Sequence, residues 1–586
     1  MTVDPGYWYE ESSRFMWPSW PSRPLHVSRK RLPSNFLQTP SWQPLATRRH
    51  CACTTMLALR STTPLQAKGE HKHENRKHGG KQTAELSKEP GPNHRSIGTQ
   101  QNLWTLDPSS PGSPLFLPNG THIFQKLVSF LRAQYPAFGF QEVLTPTLYK
   151  TSLWEQSGHW ENYKNDMFAV HGSTTKLPQT LPPVLKDGRI QPGQLLPPEP
   201  VETYGVKPMN CPGHCLLFAS QQISYRDLPI RYADFSPLHR DEVSGALSGL
   251  TRVRRFHQDD GHVFCRPRQV EEEIRKSLEF TKLVYDTFGL NQYSFVLSTR
   301  PKDDYIGTVD EWDRAESQLE KALDDTVGKE GWSLRTGDGA FYGPKIDMIL
   351  QDKEGRSHQT ATIQLDFQLP KRFNLTYQAP AAEVQEGGDG KRDPIKAKLR
   401  PSKSSNATPV MIHRAIFGSL ERFMALLIEH HNGRWPFWLS PNQVIILTIT
   451  DHPDVQRYAK EVQKALAEPQ GNQLPRALNN NTYSVELDNS DMTLNRKIAK
   501  VKQSKKHNVV VVIGEKNVKR QEVDVDVANM LDQRKVWDAI GSARPGAQAP
   551  HRKDTGTGLH IKGHPGARLR VRELQRAMQK WTDNYI

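Results

Sequence analysis

Residues Phe235 to Cys265 read FSPLHRDEVSGALSGLTRVRRFHQDDGHVFC. A polar loop rich in Gly and Ser lies in the middle, and a strand-like run follows it. In that run Arg252, Arg254, Phe256, Gln258, Asp260 and His262 occupy alternate positions. Strand side chains alternate between faces, so all six are expected on one face. A core cannot hold two guanidiniums, an amide, a carboxylate and an imidazole without partners, because buried charges must be paired. The face is therefore either solvated or an active-site surface that grips an anionic nucleotide. Other segments decide between the two.

At 586 residues the chain can hold two or three domains. A hydrophobic content of 36% is low for one compact globule, so polar or disordered segments are expected. Five cysteines, Cys51, Cys53, Cys211, Cys215 and Cys265, form no disulfide framework and suit a reduced interior. The longest apolar runs are too short for a transmembrane helix, so no membrane partner is expected. Net charge is +15, and residues 1–100 contribute 15 Lys+Arg against 7 Asp+Glu, leaving +7 for the rest. That remainder is a modest argument for a nucleic-acid partner.

Ser12 to Gly69 contains no Asp or Glu but nine Lys/Arg among many Ser and Thr, the composition of an organelle transit peptide. Residues 1–102 are accordingly expected to be a transit peptide and disordered basic leader, with order beginning near Leu103. Ile123, Phe124, Leu127, Val128 and Leu131 recur at helical spacing. FQEVLTPTLY, from Phe140 to Tyr149, reads as a strand ending at Pro146. In ATIQLDFQ the residues Ala361, Ile363, Leu365 and Phe367 alternate with Thr362, Gln364 and Asp366, a half-buried antiparallel strand. Gly418 opens a helical pattern and allows close packing on a sheet. Residues 171–203 are Pro-rich and 378–408 are polar, so both read as inserts in a domain spanning 103–440. From 441 to 586 the pattern changes. VIILTI, from Val444, and VVVVI, from Val509, are continuous apolar strands around helical segments, as in a small α/β domain with a parallel sheet. It carries a polar insert at 542–568 and ends in an amphipathic helix through Val571, Leu574, Met578 and Trp581.

Four features converge on chemistry. HRDE places Arg240 two residues before Glu242 at a strand end. Phe256 can stack a base, and Arg252 can grip phosphate with a bidentate fork. GSLERF sets Ser419 and Arg422 three residues apart at a helix start, a natural anion site. MNCPGHC, Met209 to Cys215, offers thiol and imidazole ligands.

These segments resemble the class II aminoacyl-tRNA synthetases. Arg240 with Glu242 is similar to motif 2, Arg422 to the motif 3 arginine, and FQEVLTP to motif 1. MNCPGH, RRFHQDDGHVFC, DGAFYGPKIDM, TIQLDFQLP and MIHRAIFGSLERF resemble threonyl-tRNA synthetases, and the leader is most like the fungal mitochondrial form. The resemblance implies an α+β fold: a six- or seven-stranded antiparallel sheet flanked by helices, then an α/β anticodon-binding domain. It implies a matrix enzyme that makes threonyl-adenylate from threonine and ATP and passes the threonyl group to the 3′ end of mitochondrial tRNA-Thr. It also implies a homodimer formed through the Phe140–Pro146 strand.

Residue by residue, the resemblance implies that Cys211, His262 and His413 hold a zinc ion that binds the amino and hydroxyl groups of threonine. Asp260 would accept from that hydroxyl, with Tyr342 and Gln364 near the amino end and Ser419 beside the amino acid. Arg240 would sit on the α-phosphate, Glu242 would read the adenine amino group and Phe256 would stack its ring. Arg252 and Arg422 would hold the β- and γ-phosphates with Mg²⁺, and Gln359 would touch the nucleotide. His159 and Lys345 would serve the transfer step. The short N-terminal part lacks a core for the family's editing domain, so serine mischarging is expected. QEVDVDVANMLDQRK, from Gln521, replaces a basic strand near the anticodon; Arg496, Lys497, Lys500, Lys505 and Lys506 are expected to compensate. A non-catalytic RNA-binding paralogue, or a synthetase for serine or proline, is disfavoured because the motif arginines and the zinc ligand set are all present.

Overall fold

The computed structural model describes residues 93–171, 203–303, 305–351, 357–380, 405–468, 482–543 and 566–586. Residues 1–92 and the interiors of the three expected inserts lie outside the described residues.

The larger sheet has nine strands: β1 (Gln141–Glu142), β2 (Ile230–Asp234), β3 (Pro237–His239), β4 (Arg255–Cys265), β5 (Tyr293–Ser298), β6 (Trp332–Arg335), β7 (Lys345–Gln351), β8 (Ser357–Asp366) and β9 (Val410–Ser419). Their order is β6-β5-β7-β8-β9-β4-β2-β1, with β3 also on β4. The run β5-β7-β8-β9-β4-β2 is antiparallel throughout and β3 adds a seventh antiparallel strand, which is the sheet expected from sequence. The two further strands, β1 and β6, are short parallel additions at the edges. FQEVLTPTLY is not one strand. Only Gln141–Glu142 joins this sheet, and Leu148–Lys150 pairs instead with Thr203–Val206 in a separate three-stranded sheet. Pro146 lies between them and has no N–H to give a ladder.

Helices cover the far face. Helix α2 (Pro118–Phe138) begins with Pro at its first turn, buries Ile123, Leu127, Val128 and Leu131, and stops at Gly139, whose φ is +70°. Helix α4 (Val270–Thr287) opens with Glu271, Glu272 and Glu273, which complement its dipole. Helix α5 (Leu420–His430) buries Phe423, Met424 and Leu427 in the same apolar cluster. Gly418 precedes it with φ +67°, and a Cβ there would lie 2.6 Å from the Thr360 carbonyl oxygen, so the expected close packing is real.

Order begins earlier than Leu103. Helix α1 (His94–Gln100) falls inside the 1–102 stretch, capped by Asn93, with His94, Ile97 and Gly98 buried. It is packed against the domain because Ile97 joins the main apolar cluster and Gln101 donates to the Gly433 carbonyl at 2.6 Å.

The odd positions of β4 face this core and still carry charge. Asp259 and Arg414 of β9 are fully buried and pair at 2.8 Å. Asp259 also accepts from the N–H of Ile416 (2.7 Å) and Phe417 (2.8 Å). The Arg414 guanidinium lies 4.1 Å from the Phe140 ring centroid. Gly261 leaves it room, since a Cβ there would come within 2.5 Å of Arg414 Nε.

The smaller sheet holds β10 (Val444–Thr448), β11 (Val485–Asp488), β12 (Val509–Ile513), β13 (Glu522–Asp526) and β14 (Gly566–Arg570), ordered β11-β10-β12-β13-β14. The apolar β10 and β12 pair in parallel, as expected, but β12-β13-β14 is antiparallel. The end of the expected 542–568 insert thus supplies part of an edge strand, where Arg568 meets Asp524 at 2.9 Å. Likewise Tyr377–Ala379 and Ser405–Ala407, at the ends of the 378–408 stretch, pair with each other. Lys497 cannot serve as a surface charge. Only 1% of it is exposed, and its Nζ donates to the carbonyls of Thr448 and Asp488, each at 3.1 Å. The final helix, Val571–Asp583, buries Leu574, Met578 and Trp581. No helix among the described residues is long and apolar enough to cross a membrane.

Candidate active site

Alternation holds on β4 from Phe256 to His262, but not before it. Arg252 and Arg254 precede the strand. Ser248 and Arg252 close a tight turn, with Ser248 N donating to the Arg252 carbonyl at 3.0 Å, and Arg254 N donates to the Gly112 carbonyl rather than to a ladder. These arginines therefore reach the site from a loop. Arg254 Nε donates to the Glu242 carbonyl at 2.8 Å, so it supports the motif carrying Arg240.

Three donors meet in the middle. Cys211 is the first residue of α3 (Cys211–Ala219), and His262 and His413 are register partners on β4 and β9. Their ligand atoms all lie within 4.8 Å of one another, and all three residues are buried. His262 Nε2 is 3.0 Å from His413 Nδ1. The other nitrogen of each ring is held from behind: His413 Nε2 lies 2.8 Å from Asp366 Oδ2, and His262 Nδ1 lies 2.7 Å from His214 Nδ1. Metal-binding imidazoles are ordinarily braced in this way. Burial, reinforced by His214 and His413, holds the His262 pKa well below its usual value, which favours the neutral ligand form. Burial pushes the Cys211 thiol well up; a cation beside it would act in the opposite sense. One thiol and two imidazoles in a dry setting, with no fourth protein donor in the group among the described residues, are a donor set that suits zinc with an open position.

Around this group stand Asp260, Tyr342 and Gln364. Asp260 Oδ2 accepts from the Asn210 N–H at 3.3 Å, and Asp260 Oδ1 is 3.7 Å from His262 Nε2. Burial raises its pKa. Tyr342 donates to Gln364 Oε1 at 3.0 Å, Gln364 is the register partner of His413, and the Tyr342 and His413 ring centroids are 5.5 Å apart. His159 is buried behind Cys211, its Nε2 3.6 Å from Sγ and its Nδ1 2.7 Å from Ser157 Oγ. Burial pulls its pKa from 6.5 to about 4. The unfolded chain takes up a proton here as pH falls below 6.5, which the folded chain refuses until about 4. This stability is complete above 6.5 and lost as pH falls toward 4. Unfolding free energy from urea melts is expected to drop on the order of 2 kcal/mol more between about pH 7 and about pH 4.5 in the parent than in His159→Gln. Parallel pH profiles would refute this.

At the other end three guanidiniums gather. Arg240 stacks 5.1 Å from the centroid of Phe256, and its buried Nε has no hydrogen-bond partner among the described residues. Arg252 pairs with Glu242 at 2.7 Å. Arg422 donates from Nε to the Thr251 carbonyl (3.1 Å) and from NH1 to the Gln359 carbonyl (3.3 Å). Burial, then repulsion from Arg240 and Arg252, lowers the Arg422 pKa. One carboxylate against three guanidiniums leaves an excess of positive charge suited to a polyphosphate.

Three further sequence-derived residues have partners within the protein. Ser419 caps α5, its Oγ accepting from Arg422 N at 3.3 Å, because a helix start leaves N–H groups unpaired. The Gln359 side chain donates to Asp347 Oδ1 at 2.7 Å, and Lys345 pairs with Asp347 Oδ2 at 2.8 Å. Asp347, Asp366, Asn210 and His214 are site residues that spacing did not reveal. Asp366 carried a signal as a polar position in an alternating strand, and His214 as the imidazole of MNCPGHC.

Residues 198–388 match the tRNA synthetase class II core domain (G, H, P, S and T), and 443–537 match an anticodon binding domain. The chain is 46% identical over 449 residues to the probable mitochondrial threonine–tRNA ligase of Schizosaccharomyces pombe, covering 76% of this chain and 86% of that one. The chain belongs to the threonine–tRNA ligases. The mitochondrial threonine–tRNA ligase of Saccharomyces cerevisiae is 42% identical over 76% of this chain and 87% of its own. This ligase spans about half of the cytoplasmic relatives, 51% of that from Saccharomyces cerevisiae. Among solved structures, the RNA binding domain of threonyl-tRNA synthetase from Cryptosporidium parvum aligns with a TM-score of 0.63 and 37% identity, over 83% of this ligase and 98% of that chain. As a threonine–tRNA ligase the protein joins threonine to tRNA-Thr with ATP, on a class II core followed by an anticodon-binding domain.

Proposed function

We propose that the ligase works in the mitochondrial matrix and holds threonine on a zinc ion bound by Cys211, His262 and His413. The convergence of these donors with Asp260, a short way from three clustered guanidiniums, carries this reading. When bound, zinc supplies a Lewis-acid point for the amino and hydroxyl groups of threonine. Asp260 accepts the hydroxyl hydrogen bond, and Tyr342 with Gln364 closes the amino side. Arg240, with one nitrogen unpaired, meets the α-phosphate and the attacking carboxylate, where charge develops. Arg252 and Arg422 hold the outer phosphates with their Mg²⁺, Glu242 reads the adenine amino group and Phe256 offers its ring. The carboxylate attacks the α-phosphate, pyrophosphate leaves, and the terminal ribose hydroxyl of mitochondrial tRNA-Thr then takes the threonyl group. Positioning and charge, not a covalent enzyme intermediate, supply the rate.

The remaining assignments belong to the same proposal: a transit leader within residues 1–102, a catalytic domain to residue 440, and an anticodon domain from 441. His159, whose Nε2 lies 3.6 Å from Cys211 Sγ, and Lys345, the register partner of Gln364, serve the transfer to the terminal ribose. A homodimer through the 140–146 segment is supported by Leu144, which is 84% exposed beside β1.

Arg240→Ala is expected to lower threonine-dependent ATP–pyrophosphate exchange about 10²–10³-fold in kcat, the effect of removing one charge-stabilising donor. Its zinc content should stay at the parent level. Near-parental exchange would remove Arg240 from the reaction.

A further inference from the structure

The turn that carries Arg252 is gripped from outside the sheet by α1. His94, in α1, is buried between two partners. Its Nδ1 lies 2.7 Å from Glu429 Oε1, near the end of α5, and its Nε2 accepts from the Leu250 N–H at 3.3 Å. Those partners select one neutral tautomer, with Nδ1–H donating to the carboxylate and Nε2 accepting. Gly249 has φ +50°, and a Cβ there would run into the His94 ring. Arg95 adds a contact from NH2 to Ser248 Oγ at 3.1 Å. Further along the same segment, the Gly112 carbonyl takes the Arg254 N–H at 2.7 Å. The far end of α1 is anchored beyond α5, where Gln101 donates to the Gly433 carbonyl and accepts from Trp435 Nε1 at 2.8 Å. The gripped turn in its turn offers the Thr251 carbonyl to Arg422 Nε.

We propose that residues 93–113 are a strap that positions the Ser248–Arg252 turn for ATP, with His94 as its principal positioning residue. The strap rests on the nucleotide site proposed above. It touches no substrate. It holds the two elements that carry Arg252 and Arg422 in one mutual placement, so the ATP end of the site depends on a segment that composition assigns to the leader. Processing of the leader must then leave Asn93 to Gly112 on the working enzyme.

The test is exchange kinetics on full-length His94→Ala, His94→Gln, Arg95→Ala and Arg422→Ala, with bound zinc measured on each. Losing a buried hydrogen-bond partner should raise the ATP KM of His94→Ala about tenfold. Its threonine KM should move less than about twofold and its zinc content not at all, since both belong to the other end of the site. His94→Gln can donate and accept, so it should recover part of the loss. Arg95 is exposed, and Arg95→Ala should show a smaller ATP shift in the same direction, which keeps the inference testable if His94→Ala does not fold. A raised ATP KM in Arg422→Ala with parental values in the His94 and Arg95 variants overturns the strap. Unchanged ATP KM in Arg422→Ala as well overturns the nucleotide site beneath it. Threonine KM, zinc and ATP KM failing together in His94→Ala would make its role general packing, and the strap falls.

Discussion

Valine-dependent ATP–pyrophosphate exchange is expected to be at least about 10⁴-fold less efficient than threonine-dependent exchange, whereas serine should lag by only about 10–200-fold. Valine matches threonine in shape but has no hydroxyl. At the proposed site it would leave the open position of a zinc ion and the buried Asp260 carboxylate without their partner. Burial already raises the Asp260 pKa, so an unanswered charge there is costly. Serine keeps the hydroxyl and lacks one methyl group, which an apolar contact can price at only about 1–3 kcal/mol. The measurement is kcat/KM for the three amino acids in one exchange assay. Valine activity within about tenfold of serine would mean that shape, not hydroxyl binding, selects the substrate.

Cys211→Ala is expected to lose zinc and threonine activation together. Even outer partners of metal ligands cost about 10–100-fold in affinity or activity when removed, and a direct ligand should cost more. Two imidazoles would remain, His262 and His413, still braced by His214 and Asp366. Folding should survive, because Cys211 sits at the first turn of α3, beside the sheet and outside the main apolar cluster. Metal analysis and exchange on the same sample decide the matter. Full activity in zinc-free protein would dismiss the metal from substrate binding; full zinc would move the third ligand elsewhere.

Period-two alternation located the site face of β4 and the polar positions of β8, because a strand with one face on a reaction centre must show that pattern. The same alternation failed at Arg252 and Arg254. Nothing in a single sequence tells a strand residue from one held in a turn by Ser248 and Gly112. Helix α1 was hidden for a different reason: seven residues give too few repeats for a helical period, and its surroundings are basic. Asn93 before HRSIG was the one available sign, a helix cap. Lys497 read as a surface charge, yet three carbonyl and hydroxyl oxygens draw its Nζ inside. Cys211, His262 and His413, the proposed zinc ligands, come from three separate segments, and only resemblance to a known family united them, since spacing across folds carries no distance.

The buried pair of Asp259 and Arg414 has a consequence for which structure forms at all. Each partner is the chain neighbour of a site residue, Asp260 or His413, and faces the opposite way. Sliding β9 by one residue along β4 would swing Arg414 onto the reaction face and turn His413 into the apolar core. It would also strand Asp259 in that core without its cation, and move the guanidinium away from the space over Gly261. The pair therefore works as a key between two strands whose apolar residues alone would tolerate several alignments. It disfavours the misaligned pairings in which Cys211, His262 and His413 never meet.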